Sequence, residues 1–204
     1  MDELDLIEMY IDEEVGLIGS DAISIVEEGA IEEDFIALSK VKEEAVALST
    51  VDSDKKILIG AALVPNKEIL RLSGDKKYKI VFSPETVGKT AHSFIQNGFQ
   101  NNVTLDHDSL AKDVSVIESW VVEDTHKDKS SKYGLNYQVG TWVVMMKVNN
   151  DETWQRVKDG ELNGFSIEGR YASKMIENFE EQNLSAQKDA DEILIEKLLD
   201  IINS

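Results

Sequence analysis

The sequence predicts an α+β fold in which β-strands dominate the body of the chain and helices are few. Three observations support this prediction. Short alternating or apolar runs recur along most of the chain, a clear helix-start signal follows one of them, and helical spacing returns near the C-terminus. At 204 residues the chain is long enough for one domain with a substantial hydrophobic core.

Five strands are predicted in the first part of the chain. The runs that indicate them are Leu4–Ile11, Ala22–Val26, Phe35–Leu38, Lys56–Val64 (which stops at the turn signal Pro65-Asn66) and Tyr78–Phe82.

A helix is predicted to follow the fifth strand. Ser83-Pro84-Glu85 supplies a serine N-cap, a proline at the first helical position and an acid in the first turn. The inward face of this helix is predicted to consist of Val87, Ala91, Phe94, Ile95 and Gly98. His92 lies outside that face and is expected to be exposed to solvent.

The second half predicts two long strands, a capped helix and a last strand. The long strands are Val114–Val122 and Val139–Val148, and the polar loop Glu123–Tyr137 between them contains His126. Asn150-Asp151-Glu152 is expected to cap a short helix, Thr153–Asp159, which leads into Gly160 and a strand that carries Ser166.

The pattern changes after Met175, and this change predicts the domain boundary. The segment Glu177–Lys188 is polar, and beyond it an amphipathic helix is traced by Ile193, Leu194, Lys197, Leu198, Ile201 and Ile202. We therefore expect one β-rich domain over 1–176, which includes the acidic N-terminal strands in 1–38. An acidic linker and helix are expected over 177–204.

The net charge of −19 is concentrated at the two ends of the chain. Residues 1–34 carry 13 acidic and no basic side chains, and residues 177–204 carry 8 acidic and 2 basic ones. The body, 35–176, holds 19 of each sign and is neutral. This distribution argues against nucleic-acid binding through a basic face.

Several functional classes are excluded or disfavoured by composition. The absence of cysteine excludes disulfides, thiol nucleophiles and cysteine-type zinc sites. No apolar run approaches the roughly 20 residues of a membrane span, and the N-terminus lacks a basic start, so a soluble intracellular protein is expected. No phosphate-binding loop or metal-ligand spacing occurs, and we expect no cofactor and no metal. Asp106 and Asp108 beside one histidine are a weak metal signal.

The segment Gly160–Gly169, G-E-L-N-G-F-S-I-E-G, contains the main candidate for chemistry. It places Ser166 between glycines at the start of an apolar strand, where a substrate carbonyl could approach the hydroxyl. A serine needs a base that accepts its proton, and His107 remains as the best of three histidines once His92 and His126 are assigned to the surface. The pair suggests acyl transfer, and the alternative is a structural strand serine with an unrelated surface histidine.

Several separated motifs, in a fixed order, resemble those of tailed-phage prohead proteases and most closely the XkdF-type phage serine proteases. They are A-I-S-I-V-E-E-G-A-I-E-E-D-F-I-A-L-S (22–39), I-V-F-S (80–83), V-T-L-D-H-D (103–108), I-E-S-W-V-V (117–122), G-T-W-V-V (140–144) and G-F-S-I-E-G (164–169). The resemblance implies that Ser166 is the nucleophile and His107 the general base. It also implies a fold similar to the herpesvirus assemblins: a closed, mostly antiparallel β-barrel over 1–176 with surrounding helices.

The same resemblance implies a biological setting. Such proteases work in the host cytoplasm inside the assembling prohead, where the phage scaffold and the arms of the major capsid protein are their substrates. It also implies a homodimer, by analogy with assemblins. Neither nucleic acid nor a membrane is expected as a partner.

The third catalytic residue is not fixed by the motifs. Many prohead proteases carry an acid in a strand of the form E-x-S-x-V after the serine, which this chain lacks. A similar string begins at Asp21 (D-A-I-S-I-V), so Asp21 is predicted as the orienting acid, although it lies one residue early and that offset turns a side chain to the other face of a strand. The rivals are Asp106, Asp108, Glu168 and Glu118; the first three are disfavoured because immediate neighbours in a strand face opposite ways.

Two other functional classes compete with the protease. A catalytically silent scaffolding or internal structural protein of the prohead would suit the acidic ends and the C-terminal helix. An unrelated esterase is disfavoured because position 168 is glutamate, which breaks the G-x-S-x-G pattern.

Overall fold

The computed structural model of the protein describes residues 4–27, 36–37, 55–73 and 76–176. These residues form twelve β-strands, two α-helices and three 3-10 helices, which confirms a strand-rich α+β fold. The segment 177–204, with its expected linker and helix, lies outside the described residues, and so do the two end residues of the expected strand Phe35–Leu38.

The first of three four-stranded sheets contains the N-terminal strand. Its members are β1 (Leu6–Tyr10), β5 (Ile69–Ser73), β6 (Lys76–Phe82) and β12 (Ala172–Met175), in the spatial order β12-β1-β6-β5. Strand β1 runs parallel to β6 and antiparallel to β12. The first and the last described strands are therefore neighbours.

The second sheet contains the most apolar strands. It consists of β3 (Ile36–Ala37), β4 (Ile57–Leu63), β9 (Val114–Val121) and β10 (Trp142–Val148), in the order β3-β4-β10-β9. Strand β10 is buried along almost its whole length and pairs antiparallel with both β4 and β9. Its apolar side chains form the centre of the core.

The third sheet carries the candidate catalytic residues. It consists of β2 (Gly19–Val26), β7 (Val103–Leu105), β8 (Ser109–Leu110) and β11 (Gly164–Arg170), in the order β11-β2-β7-β8. Strand β2 is antiparallel to β11 and parallel to β7. Residues far apart in sequence are thereby brought side by side across β2.

Both helices begin where capping residues predict. Helix α1 (Pro84–Gln96) starts after Ser83, whose hydroxyl accepts a hydrogen bond from the Thr86 N–H at 3.3 Å. Helix α2 (Asp151–Lys158) starts after Asn150, whose side chain accepts from the Thr153 N–H at 2.8 Å.

The core contains the aromatic residues of several elements. Phe94 of α1 packs on Trp142 of β10 with ring centroids 5.3 Å apart, and both side chains are fully buried. Trp154 of α2 and Phe165 of β11 are also buried. Phe165, which directly precedes Ser166, thus anchors β11 in the core.

The structure differs from the sequence predictions at several boundaries. Ile95 is 39% exposed because it lies at the edge of the buried stripe of α1, and Gly98 lies beyond that helix. Strand β10 begins at Trp142, since Gly140, with φ of +88°, forms a turn before it. The loop between β9 and β10 contains a 3-10 helix, Lys129–Tyr133, and the short strands β5, β8 and β12 were missed.

The described strands form three separate hydrogen-bonded sheets, and no closed barrel is found among them. The barrel therefore remains a prediction. Within the described ranges, neither helix has the length and apolar character needed to cross a membrane.

Candidate active site

Ser166 lies on β11, the strand next to β2 at one edge of the third sheet. Its backbone pairs with Ser24 of β2, which in turn pairs with Thr104 of β7. Directly paired residues point to the same face of a sheet, so three hydroxyl side chains form a row. Ser166 is 5% exposed, and with His107 it lines a cavity of about 730 Å³. The two predicted catalytic residues are thus brought to one cavity.

His107 occupies the tight turn that joins β7 to β8. Both Asp106 and His107 have positive φ, +50° and +60°, which is uncommon for non-glycine residues and costs about 1–3 kcal/mol each. The turn is held by two hydrogen bonds to β2: Asp106 N–H donates to the Ile25 carbonyl and His107 N–H to Ser24 Oγ, both at 3.0 Å. These bonds hold the backbone of His107 against β2, the neighbour of the serine strand.

A salt bridge anchors the same turn from the other side. Arg156 of α2 donates to the Asp106 carboxylate at 3.0 Å and also to Glu161 at 3.1 Å. The hydrogen bond to Asp106 is the main reason that the pKa of Arg156 lies above its ordinary value. The Asp106 carboxylate therefore binds Arg156 and stabilises the turn.

The acid that contacts His107 is Glu168. His107 Nδ1 lies 3.1 Å from Glu168 Oε1, and the same oxygen accepts a hydrogen bond from the Thr104 hydroxyl. The expectation that Glu168 faces away, as an immediate neighbour of the pair, was wrong. Glu168 lies two positions after Ser166, and residues i and i+2 of a strand share a face. The S-x-E spacing within β11 was the signal that could have identified it.

The structure does not bring Asp21 to His107. Ala22 pairs with Glu168 and Ser20 with Gly169, so Asp21 is the extra residue at a β-bulge. Its carbonyl accepts a hydrogen bond from the Asn102 side chain at 3.0 Å. Its carboxylate instead influences Tyr171, whose pKa is raised chiefly by burial and in part by the charge of Asp21.

The remaining residues considered from sequence lie elsewhere. Glu118 of β9 forms an ion pair with Lys129, and His92 and His126 are exposed on α1 and on the loop after β9. Asp108 follows His107 and donates its backbone N–H to the Leu105 carbonyl. Within the described residues, no cluster of three His, Asp or Glu side chains is arranged to hold a metal ion.

The arginine of the cavity was not singled out from the sequence. Arg71 of β5 lines the cavity together with Ser166 and His107; its other lining residues are Val26, Glu27, Asp106 and Ile167. Partial burial lowers the pKa of the Arg71 guanidinium, against a smaller opposite effect of Tyr78. The strand that contributes Arg71 was missed, so its position could not be inferred.

Comparison with known proteins places the chain in a family. Residues 44–177 match the family model described as "Putative phage serine protease XkdF", and this range covers about two thirds of the chain, including Ser166, His107 and Glu168. The chain belongs to this family. The XkdF-type resemblance is thereby confirmed, whereas a relation to herpesvirus assemblin is not.

A curated relative adds little about activity. The chain is 24% identical over 159 residues to "Uncharacterized protein YqbD" of Bacillus subtilis (strain 168), an alignment that covers 72% of this chain and 43% of that protein. The chain thus spans less than half of that relative's length. No solved structure matches the chain.

Proposed function

We propose that the protein is a serine endopeptidase with Ser166 as nucleophile, His107 as general base and Glu168, in place of Asp21, as the acid that orients the histidine. The observation that carries the proposal is the meeting of Ser166 and His107 in one cavity with His107 Nδ1 3.1 Å from Glu168. Membership of the XkdF family of phage serine proteases supports the same reaction class.

The proposed mechanism assigns each side chain one task. Glu168 accepts a hydrogen bond from the Nδ1–H of His107, which leaves Nε2 as the base that accepts the Ser166 proton. The Ser166 oxygen attacks the peptide carbonyl, and His107 returns the proton to the leaving amine, so an acyl-enzyme forms. Water then attacks this ester with the same histidine as base, which regenerates the serine.

The proposed biological role is supported by the family and by the motifs rather than by the site. We propose that the substrates are the phage scaffold and the arms of the major capsid protein. We place cleavage within the assembling prohead in the host cytoplasm. A homodimer and a closed barrel, in which strands outside the described ranges would join the three sheets, belong to the same proposal.

The first test is intact-mass analysis after co-expression with the neighbouring capsid and scaffold proteins. Wild type is expected to shorten a partner or itself, and Ser166→Ala and His107→Ala are expected to lower that cleavage by at least about a thousandfold. All three chains should be folded by circular dichroism. Folded proteins with full-length products throughout would overturn the proposal and favour the scaffolding role.

A further inference from the structure

Arg71 directs its side chain towards the candidate catalytic cavity. In β5 the buried Ile69 and the half-buried Arg71 alternate with Leu70 and Leu72, which are 53% and 66% exposed. This period of two places Arg71 on the inner face of the strand. Arg71, Ser166 and His107 consequently line the same space.

The charge of Arg71 has no counterpart in the part of the chain that the structure describes. No carboxylate forms an ion pair with Arg71 there; its guanidinium donates to the adjacent Leu70 carbonyl at 3.1 Å. Arg156, by contrast, is bound by Asp106 and Glu161. A guanidinium has five N–H donors, and among the described residues Arg71 directs them only to the Leu70 carbonyl.

The carboxylates of the cavity do not satisfy Arg71. Asp106 is held by Arg156, and Glu27 lies exposed at the rim without an ion pair to Arg71. Partial burial disfavours an isolated charge, and a planar guanidinium is best matched by the two oxygens of a carboxylate. The cavity is therefore suited to a ligand that carries a carboxylate.

The position of β5 suits an extended peptide. Among the described strands, β5 has one neighbour, β6, and forms the edge of its sheet. Extended peptides bind such edges through main-chain hydrogen bonds, and alternate side chains then enter pockets on one face. A peptide along β5 would thus present a side chain to Arg71.

We propose that Arg71 is a specificity-determining residue that binds an acidic side chain of the polypeptide substrate close to the bond that Ser166 attacks. The proposal rests on the proposed serine-protease function. It defines the substrate class as polypeptides with glutamate or aspartate beside the cleavage site.

The test uses peptidyl diphenyl phosphonates with blocked N-termini and no free carboxylate other than the side chain under test. Ser166 Oγ forms a bond to phosphorus while a P–O bond to phenol breaks, and the serine proton leaves with the phenol. Glutamate is placed in turn at the phosphonate position and at the two preceding positions, and each probe has a glutamine twin. Labelling rates are measured by intact mass, with a small uncharged fluorophosphonate as a sequence-independent probe of Ser166.

The measured quantity is the ratio of glutamate to glutamine labelling rates within one protein, which a partly misfolded fraction does not change. For wild type we expect a ratio of roughly tenfold to a hundredfold at one position, as for a charged hydrogen bond. Arg71→Gln should reduce the ratio to about one, and Arg71→Glu should invert it. Lys77→Gln, which removes an exposed cation of the same sheet, should retain the wild-type ratio.

The outcomes separate the two proposals. Labelling of wild type by the uncharged probe, with equal rates for every twin pair, would overturn the role of Arg71 alone. Retention of the wild-type ratio in Arg71→Gln would overturn that role as well. Failure of the uncharged probe to label Ser166 in folded wild type would overturn the protease itself, and the role of Arg71 with it.

Discussion

Ser166 and Glu168 lie two positions apart on β11, and this spacing places the proposed nucleophile and the proposed orienting acid on the same face of one strand. The proposed general base, His107, lies on the turn after β7. Strand β2 lies between them and contributes Ser24, whose hydroxyl accepts the His107 N–H. The relative position of serine and histidine therefore depends on the register of β2 against both neighbours.

The assignment of the acid gives a prediction at this scale. Glu168→Gln removes the charge while preserving shape, and we expect the labelling rate of Ser166 with an uncharged fluorophosphonate to fall roughly 100- to 10,000-fold. Glu168→Asp should recover part of the rate. Asp21→Asn, the matched control, should change the rate by less than about threefold, because such amide exchanges act strongly only at a residue that contacts the histidine.

Thermal unfolding of the same variants distinguishes a loss of His107 orientation from a loss of the folded state. Glu168→Gln is expected to unfold cooperatively near the wild-type temperature. A large rate loss in Asp21→Asn together with a normal rate in Glu168→Gln would return the catalytic role to Asp21.

Among the elements, β2 and β11 approach each other closely at Gly169. A Cβ at this position would lie 2.3 Å from the Gly19 carbonyl oxygen and 2.6 Å from the Ser20 Cα. Both are backbone atoms, which cannot move aside as a flexible side chain can. The bulge between Glu168 and Gly169 is thus compatible with glycine alone.

Gly169→Ala is expected to lower the free energy of unfolding by about 1–3 kcal/mol, because the added methyl group forces the two strands apart. Gly88→Ala is the control: a Cβ there meets no atom within 4 Å, and the helical position should gain up to about 1 kcal/mol. Urea denaturation measures both. Equal stability of the two variants would contradict the close approach at Gly169.

Sequence patterns predicted the elements whose signals are local. The caps at Ser83 and Asn150 and the strand runs of β4 and β9 were found, because hydrogen bonds or periodicity within a few residues determine them. Strand β5 was missed because its five residues include only one that is buried. The S-x-E spacing places Glu168 on the face of Ser166, but the contact of Glu168 with His107 also depends on strand pairing across β2, which lies outside that local pattern.

At the scale of the whole molecule, Tyr171 contacts both the first sheet and helix α1. Its ring packs edge-on against Phe82 of β6, with centroids 5.1 Å apart, and its hydroxyl lies 3.4 Å from the Thr90 hydroxyl of α1. It also joins β11 to β12 along the chain. The side chain is half-buried overall, and the burial of its phenol among these neighbours raises its pKa above the ordinary value of a tyrosine.

This shift predicts the alkaline limit of stability. The unfolded chain loses the Tyr171 proton at its ordinary pKa, about 10, whereas the folded chain retains it to higher pH. The stabilisation is therefore complete below pH 10 and is lost as the pH rises above it, by up to about 1.4 kcal/mol per pH unit. Urea unfolding from pH 9 to 11 should show this decline in wild type and a smaller one in Tyr171→Phe. Parallel curves for the two proteins would contradict the buried phenol.

The position of β2 between β11 and β7 determines what a shortened chain would lack. The family match begins at residue 44, yet β2, at Gly19–Val26, supplies the hydroxyl that holds the histidine turn. A fragment that starts at residue 44 would contain Ser166, His107 and Glu168 but would lack β2 between β11 and β7, β1 between β12 and β6, and β3 at the edge of the second sheet. A synthetic peptide that spans β1 and β2 would restore two of these strands by strand complementation, which would place the proposed triad under the control of an added segment.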